Sequence, residues 1–307
     1  MAKPLLKRWS KAFRHGLAYF ALRLFQSLVT SLSHSSRRRL ARSLSTLLYR
    51  LPGPRRLVTQ HLRFALGEKL TSRQLEDIAR QNFVHMAESL TELLWWMKRP
   101  AQELNQYITI EGGQEIKKAL ALGKGVIGLT SHLGNWELLG GYISNFVVPI
   151  SVIAEPIFDT RVNQILIDAR THLGVKTIYR RESGKSLLRV LRSNGFVGML
   201  ADQDIPTSES IFVSFFGKPA LTPVGPASLS LHTGATIVPM FIHRLPDGSH
   251  HIVVEKALQY TKTGDQKKDI HDLTQLWSYV VERYIMQTPG QWVWLHDRFK
   301  TRPETTP

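Results

Sequence analysis

Apolar positions change their period near residue 105. Before that point they recur every three or four residues, as along helix faces; after it, short continuous apolar runs alternate with amphipathic stretches. Leu17, Phe20, Ala21, Leu24, Phe25, Leu28, Val29 and Leu32 fall on one side of a helix over 16–32, with Arg23, Gln26, Ser27, Thr30 and Ser31 largely opposite. A second apolar face, Leu40, Leu44, Leu47, Leu48 and Leu51, ends at Pro52-Gly53-Pro54. A third helix is expected over 55–66. Thr71-Ser72-Arg73-Gln74 reads as a capped start for a long helix whose stripe runs from Leu75 to Met97 and stops before Pro100. Trp95-Trp96 suits a core or a membrane interface, the core being the commoner place.

From about residue 106 the pattern predicts strands over 125–130, 150–154, 175–179, 196–201, 211–216, 236–242 and 250–255. Helices are predicted over 113–122, 136–146, 160–173, 184–193, 224–233 and 269–288. Alternating βαβ units with near-continuous apolar strands imply an α/β fold, a mainly parallel mixed sheet covered by helices. The chain thus divides into a helical region, 1–105, and an α/β domain, 106–303. Ligands of such sheets gather at the C-terminal ends of the strands. Three chemically able residues stand there: His132 after 125–130, Glu155 after 150–154 and Asp202 after 196–201.

Charge sharpens the division. The 307-residue chain carries 40 Lys and Arg against 24 Asp and Glu, a formal net charge of +16. Fourteen of the basic residues lie in 1–67, where no acid occurs; residues 68–307 hold 26 basic and 24 acidic side chains. A basic segment of this kind meets nucleic acid or an anionic membrane, and its apolar periodicity favours the membrane. As a helix, 16–32 would be ~26 Å long, short of the ~30 Å hydrocarbon core. Arg23 near its middle would cost ~2.5–3.5 kcal/mol in a true span. An interfacial or tilted anchor is therefore expected, with Arg14, Leu17, Phe20, Leu24, Phe25 and Leu28 in contact with lipid. Lys3, Lys7, Arg8, Lys11 and Arg37-Arg38-Arg39 would lie among anionic headgroups. An ordinary amphipathic helix packed on the domain would show the same pattern. The N-terminus lacks a small-residue cleavage site after its apolar stretch, so no signal peptide is expected.

Candidate chemistry centres on Thr130-Ser131-His132-Leu133-Gly134-Asn135-Trp136-Glu137. Gly134 permits a sharp turn and Asn135 is a good cap for the helix that follows. Glu137, in that helix's first turn, is placed to fold back and hydrogen-bond one imidazole nitrogen of His132. The other nitrogen would then be free to take a proton from an incoming hydroxyl. A structural histidine at a strand end would look much the same. The chain has no cysteine, no Gly-x-Ser-x-Gly elbow and no His-Glu-x-x-His pattern, and its twelve histidines are not spaced as an obvious metal site. Gly184-Lys185-Ser186 lacks the earlier glycine of a phosphate loop, because Tyr179 stands in its place. Direct attack by a substrate hydroxyl is thus expected, without cofactor or metal. Arg161, Arg170 and backbone amides near 134–136 are candidate donors to the developing oxyanion. Asp202-Gln203-Asp204 would orient the arginine or build the acceptor pocket, or simply form a polar turn. Arg180-Arg181, Lys176 and Lys185 make a second basic group suited to phosphates, or a solvated helix end. Leu133, Leu138 and Leu139 are candidates to line an adjoining apolar pocket.

With these residues in view, the chain resembles the bacterial lipid A biosynthesis acyltransferase family (lauroyl and myristoyl transferases), itself similar to glycerolipid acyltransferases with a His-x4-Asp/Glu motif. The resemblance covers nearly the whole chain. Its blocks are Ser131 to Glu137, Arg161…Arg170-x-x-x-Gly174, Leu200 to Asp204, Phe215 to Ala220, Gly225-Pro226-Ala227, Thr233-Gly234-Ala235 and Pro289 to Pro303. It implies that His132 and Glu137 form the catalytic pair and that Arg170 and Asp202 occupy positions linked to activity. It further implies an acyl chain on acyl carrier protein as donor. The acceptor would be a hydroxyl of a phosphorylated glucosamine lipid (Kdo2-lipid IVA type) at the cytoplasmic face of the inner membrane. Another glycolipid or a lysophospholipid would suit the same chemistry.

Overall fold

A computed structural model of the chain describes residues 16, 19–156, 159–179, 183–205 and 209–303. Four helices come first: α1 (19–31), α2 (His34–Arg50), α3 (Pro52–Leu66) and α4 (Ser72–Trp96). The capping box at the start of α4 forms as the sequence predicts. The Thr71 backbone N–H donates to Gln74 Oε1 at 2.8 Å, and the Gln74 backbone N–H returns to Thr71 Oγ1 at 3.3 Å. Trp95 and Trp96 lie in the core.

The α/β part follows as β1 (Ile108–Glu111), α5 (Gln114–Leu120), β2 (Val126–Thr130), α6 (Trp136–Phe146), β3 (Ile150–Ala154), α7 (Thr160–His172), β4 (Lys176–Tyr179), α8 (Ser183–Arg192) and β5 (Phe196–Leu200). It ends with β6 (Ser210–Phe215), β7 (Lys218–Pro223), α9 (Gly225–Thr233), β8 (Thr236–Arg244), β9 (His250–Val254) and α10 (Gln266–Gln287). Seven strands form one mixed sheet in the order β1-β9-β8-β2-β5-β3-β4. Its centre, β8-β2-β5-β3-β4, is parallel. β9 turns back antiparallel to β8, and β1 joins β9 in parallel. All five residues of β2 are buried, as its continuous apolar run requires.

Two strands escape the periodicity. β1 is short and half exposed. β7 begins Lys218-Pro219 and pairs with β6 as a separate antiparallel hairpin outside the main sheet. Prolines confine β7 to that edge position.

Helix α4 carries a buried ionic cluster that joins the N-terminal helices to the sheet. Glu92 accepts from Arg244 Nη2 at 2.7 Å, Arg244 Nη1 at 2.9 Å and Arg37 Nη2 at 3.2 Å, and His250 Nε2 lies 3.0 Å from it. Glu88 pairs with Arg38, Arg42 and Arg244. Arg37 is fully buried, which corrects its expected place among lipid headgroups. Only Arg39 of that triplet is exposed. Burial by itself would raise the Glu92 pKa, but the Arg244 guanidinium and its neighbours hold it well below the usual carboxylate range.

The expected anchor helix is amphipathic, but it presents two apolar faces. Val29 and Gln26 are buried against the body of the protein and Phe25 is half-buried there, whereas Phe20, Leu24 and Leu28 stand in solvent at 60%, 57% and 50% exposure. Phe25 is therefore a packing residue rather than a member of the outward stripe. Arg14 and Leu17 lie outside the described residues. No helix among the described residues is long and apolar enough to cross a membrane.

Removing the Glu92 carboxylate would leave Arg37 and Arg244 buried without their principal counter-charge. Glu92→Ala is expected to cost about 3–5 kcal/mol of stability, read from urea unfolding. A loss below about 1 kcal/mol would show that the cluster is not holding the helical region to the sheet.

Candidate active site

Strand register assembles the site. β2 and β5 are parallel neighbours with Thr130 opposite Leu200. Two residues past each strand, at the same sheet edge, come His132 and Asp202. His132 Nδ1 lies 2.7 Å from Asp202 Oδ1, and the His132 backbone N–H donates to Asp202 Oδ2 at 2.8 Å. Trp292 Nε1–H donates to Oδ2 as well, at 2.7 Å. Asp202 is fully buried. Desolvation would raise its pKa, but the His132 imidazole and these donors outweigh that and bring it down to about 2. The carboxylate is thus ionised and fixes Nδ1 as the protonated nitrogen. Among the described residues no protein group bonds Nε2.

This corrects the expected His132–Glu137 contact. Glu137 forms a two-point pair with Arg170, accepting from Nε at 2.8 Å and from Nη2 at 2.6 Å. Both residues border the same cavity as His132. Three of the guanidinium's five N–H donors remain for a ligand. The reason for the exchange of partners is geometric. The turn at Gly134 carries α6 past the imidazole, so that Trp136 meets the His132 ring edge-on, with centroids 5.0 Å apart.

Three contacts hold that turn. Gly134 has φ of +62°, and a Cβ there would lie 1.9 Å from the Ile242 carbonyl oxygen. Its N–H donates to Gln291 O at 3.0 Å, and Val293 N–H donates to His132 O at 3.1 Å, so the C-terminal segment straps the loop. The Gly134 amide is consequently spent and is no oxyanion donor. Asn135 caps α6 through the Leu138 N–H, while its amide donates to Glu92 at 2.8 Å. The catalytic-looking turn is thereby tied to the ionic cluster of α4.

The cavity is about 480 Å³. Its polar lining is His132, Glu137, Arg170 and Gln203, with Glu155 and Glu209 also in the wall. Its apolar part comes from Trp136, Val152, Ile153, Val175, Leu187, Met199, Val224 and Leu229. An elongated apolar group and a polar head could occupy it together. Leu133, Leu138 and Leu139 do not line it; all three are buried in the core.

The remaining sequence candidates fall elsewhere. Arg161 pairs with Asp159 at 3.0 Å and stacks over the Tyr19 ring, away from the cavity wall. Asp204 accepts from the Thr301 backbone and hydroxyl at 2.7 and 3.1 Å, fastening the C-terminal segment. Of Asp202-Gln203-Asp204, then, the first orients the imidazole, the second faces the cavity and the third is structural. The role of Trp292 has no signal in the sequence, since nothing local marks an indole as the donor to a distant carboxylate. No cluster of three or more histidines and carboxylates among the described residues could hold a metal ion.

Residues 6–301 match the family model for bacterial lipid A biosynthesis acyltransferase. The lipid A biosynthesis lauroyltransferase of Escherichia coli is 26% identical over 256 residues, 82% of this chain and 81% of that protein. The palmitoleoyltransferase of the same organism is 24% identical over 237 residues, 76% and 74% of the two chains. A phosphatidylinositol mannoside acyltransferase of Mycobacterium tuberculosis is 32% identical over 146 residues, 46% of this chain; the match spans about 45% of that relative's length. The family match runs over nearly the whole chain and includes every residue of the cavity. The protein belongs to the bacterial lipid A biosynthesis acyltransferase family.

Proposed function

We propose that the protein moves a fatty acyl chain from acyl carrier protein to a hydroxyl of a phosphorylated glycolipid, a lipid A precursor of the Kdo2-lipid IVA type. The reaction would run at the cytoplasmic face of the inner membrane. The observation that carries the reading is the 2.7 Å His132–Asp202 pair, whose imidazole lines a largely apolar cavity. His132 Nε2 takes the proton of the acceptor hydroxyl as its oxygen attacks the thioester carbonyl. The tetrahedral oxyanion forms beside Arg170, whose orientation Glu137 fixes. Its collapse breaks the carbon–sulfur bond, and the imidazolium returns the proton to the departing thiolate. His132 is the base in this scheme, as expected from the sequence, with Asp202 as the carboxylate that steadies it. Glu137 acts through Arg170.

The similarity to lipid A acyltransferases supports this acceptor, as does the basic N-terminal region, which suits a phosphorylated lipid at an anionic surface. Phe20, Leu24 and Leu28 supply the apolar contact of that surface. The similarity to a phosphatidylinositol mannoside acyltransferase supports a second reading, in which the same chemistry serves a different glycolipid.

Mass spectrometry of products from acyl carrier donors and a tetra-acylated lipid A precursor tests the acceptor. One added acyl chain on that precursor is the expected result; acylation of a mannosylated phosphoinositide or a lysophospholipid instead would replace it. His132→Ala should lower kcat about 10²–10⁴-fold while the protein stays folded. Asp202→Asn should lower kcat and change the pH–rate profile, whereas Glu137→Gln, by misplacing Arg170, should lower kcat and leave the shape of that profile unchanged. The reverse division would restore Glu137 as the imidazole's partner. Asp202 also links to stability. Its folded pKa lies below the ordinary value of 3.8, so its contribution is present above about pH 4 and is lost as pH falls toward 2. Acid unfolding of Asp202→Asn should accordingly be flatter over that window than wild type.

A further inference from the structure

Helix α8 joins β4 to β5 and has two unlike faces. Leu187 on the inner side lines the catalytic cavity, and Leu191 beside it is buried in the core. On the outer side Lys185, Arg189 and Arg192 stand in solvent at i, i+4 and i+7, in one row along the helix. With Leu188 and Ser193 they border a shallow surface cleft of about 450 Å³. Residues 183–195 contain no acid, and none of the three cations has a carboxylate partner among the described residues. Outside the N-terminal region the chain is nearly charge-balanced, so an unmatched row here is a local feature.

Two occupants fit cations, an acidic protein or an anionic membrane, and the pattern of apolar exposure separates them. On α1 to α3 the exposed arginines are accompanied by Phe20, Leu24, Leu28, Leu47, Leu51 and Leu57, the side chains that an interfacial helix inserts among acyl chains. Between residues 147 and 244 no large apolar side chain among the described residues is exposed. The α8 row thus offers charge without an insertion face. That combination suits fast, salt-sensitive association with an acidic protein surface. Position agrees: a helix is about 10–12 Å across, so a partner on the outer face stands one helix diameter from the cavity wall at Leu187. Helix α8 begins after the C-terminal end of β4, a parallel strand whose end lies at the same edge of the sheet as His132.

We propose that the Lys185–Arg189–Arg192 face of α8 is the docking surface for the acidic acyl carrier protein. The proposal rests on the carrier-thioester reading of the active site. The test uses a charge-reversed variant, Lys185→Glu with Arg189→Glu and Arg192→Glu, in the full-length enzyme. It is assayed with acyl carrier protein thioester and with the uncharged donor acyl-N-acetylcysteamine. The expected result is a rise in carrier KM of about tenfold or more, loss of its salt dependence, an unchanged kcat, and unchanged turnover of the small thioester. Binding of the carrier alone, titrated against the enzyme, should weaken in parallel. An unchanged carrier KM overturns the proposal. So does an equal loss with both donors, which would mean that the substitutions disturb the cavity through Leu187. Loss of sedimentation with anionic phospholipid vesicles while carrier KM is intact would assign the face to the membrane. If wild-type enzyme uses the small thioester but never the carrier, the donor reading itself falls; if it uses the carrier and the variant does so equally well, only the docking surface falls.

Discussion

The parallel pairing of β2 with β5 is the constraint on which the site depends. It sets two strand ends at one level, so that a histidine from one and an aspartate from the other meet at 2.7 Å without any long loop between them. Burying a carboxylate there is costly, and the protein offsets the cost with the imidazole, a backbone N–H and the Trp292 indole. All three partners also fix geometry. A single buried charge therefore selects the tautomer of His132, the path of its loop and the seat of the C-terminal segment.

The rest of the molecule keeps that arrangement rigid. The C-terminal strap bonds the His132 loop from one side, and Asn135 reaches Glu92 from the other. Glu92 in turn gathers Arg37, Arg244 and His250 from three separate elements. Such buried ion groups add little net stability compared with apolar packing, yet breaking one partner out is expensive. Their effect is to couple the position of the N-terminal helices to the start of α6. The N-terminal helices, with the exposed apolar side chains of α1, and the sheet that carries His132 are consequently joined through α4.

Two basic surfaces emerge with different companions. On the N-terminal helices the cations stand with exposed apolar side chains, and on α8 they stand without them. Charge alone, as counted along a sequence, does not distinguish these two settings; the neighbours of each charge do. Arg37 makes the same point in the opposite direction, since a basic triplet that reads as a headgroup contact places one of its members at the centre of the core.

Periodicity determined most of the architecture, because apolar spacing follows burial directly: the long capped α4, the alternating strands and helices, and the edge at which chemistry collects were all legible. The short β1 and the proline-bearing β7 were not, since neither has an apolar run of its own. His132, Glu137 and Arg170 could be named from local pattern or resemblance, and the structure brings all three to one cavity. Their partnerships could not be read. Whether Glu137 faces an imidazole or an arginine, and whether Asp202 orients a base or an acceptor, depends on which strands pair and in what register. Those are contacts between residues 33 and 70 positions apart, and no short-range signal in the chain encodes them. Sequence supplied the reactive groups; tertiary packing chose which of them touch.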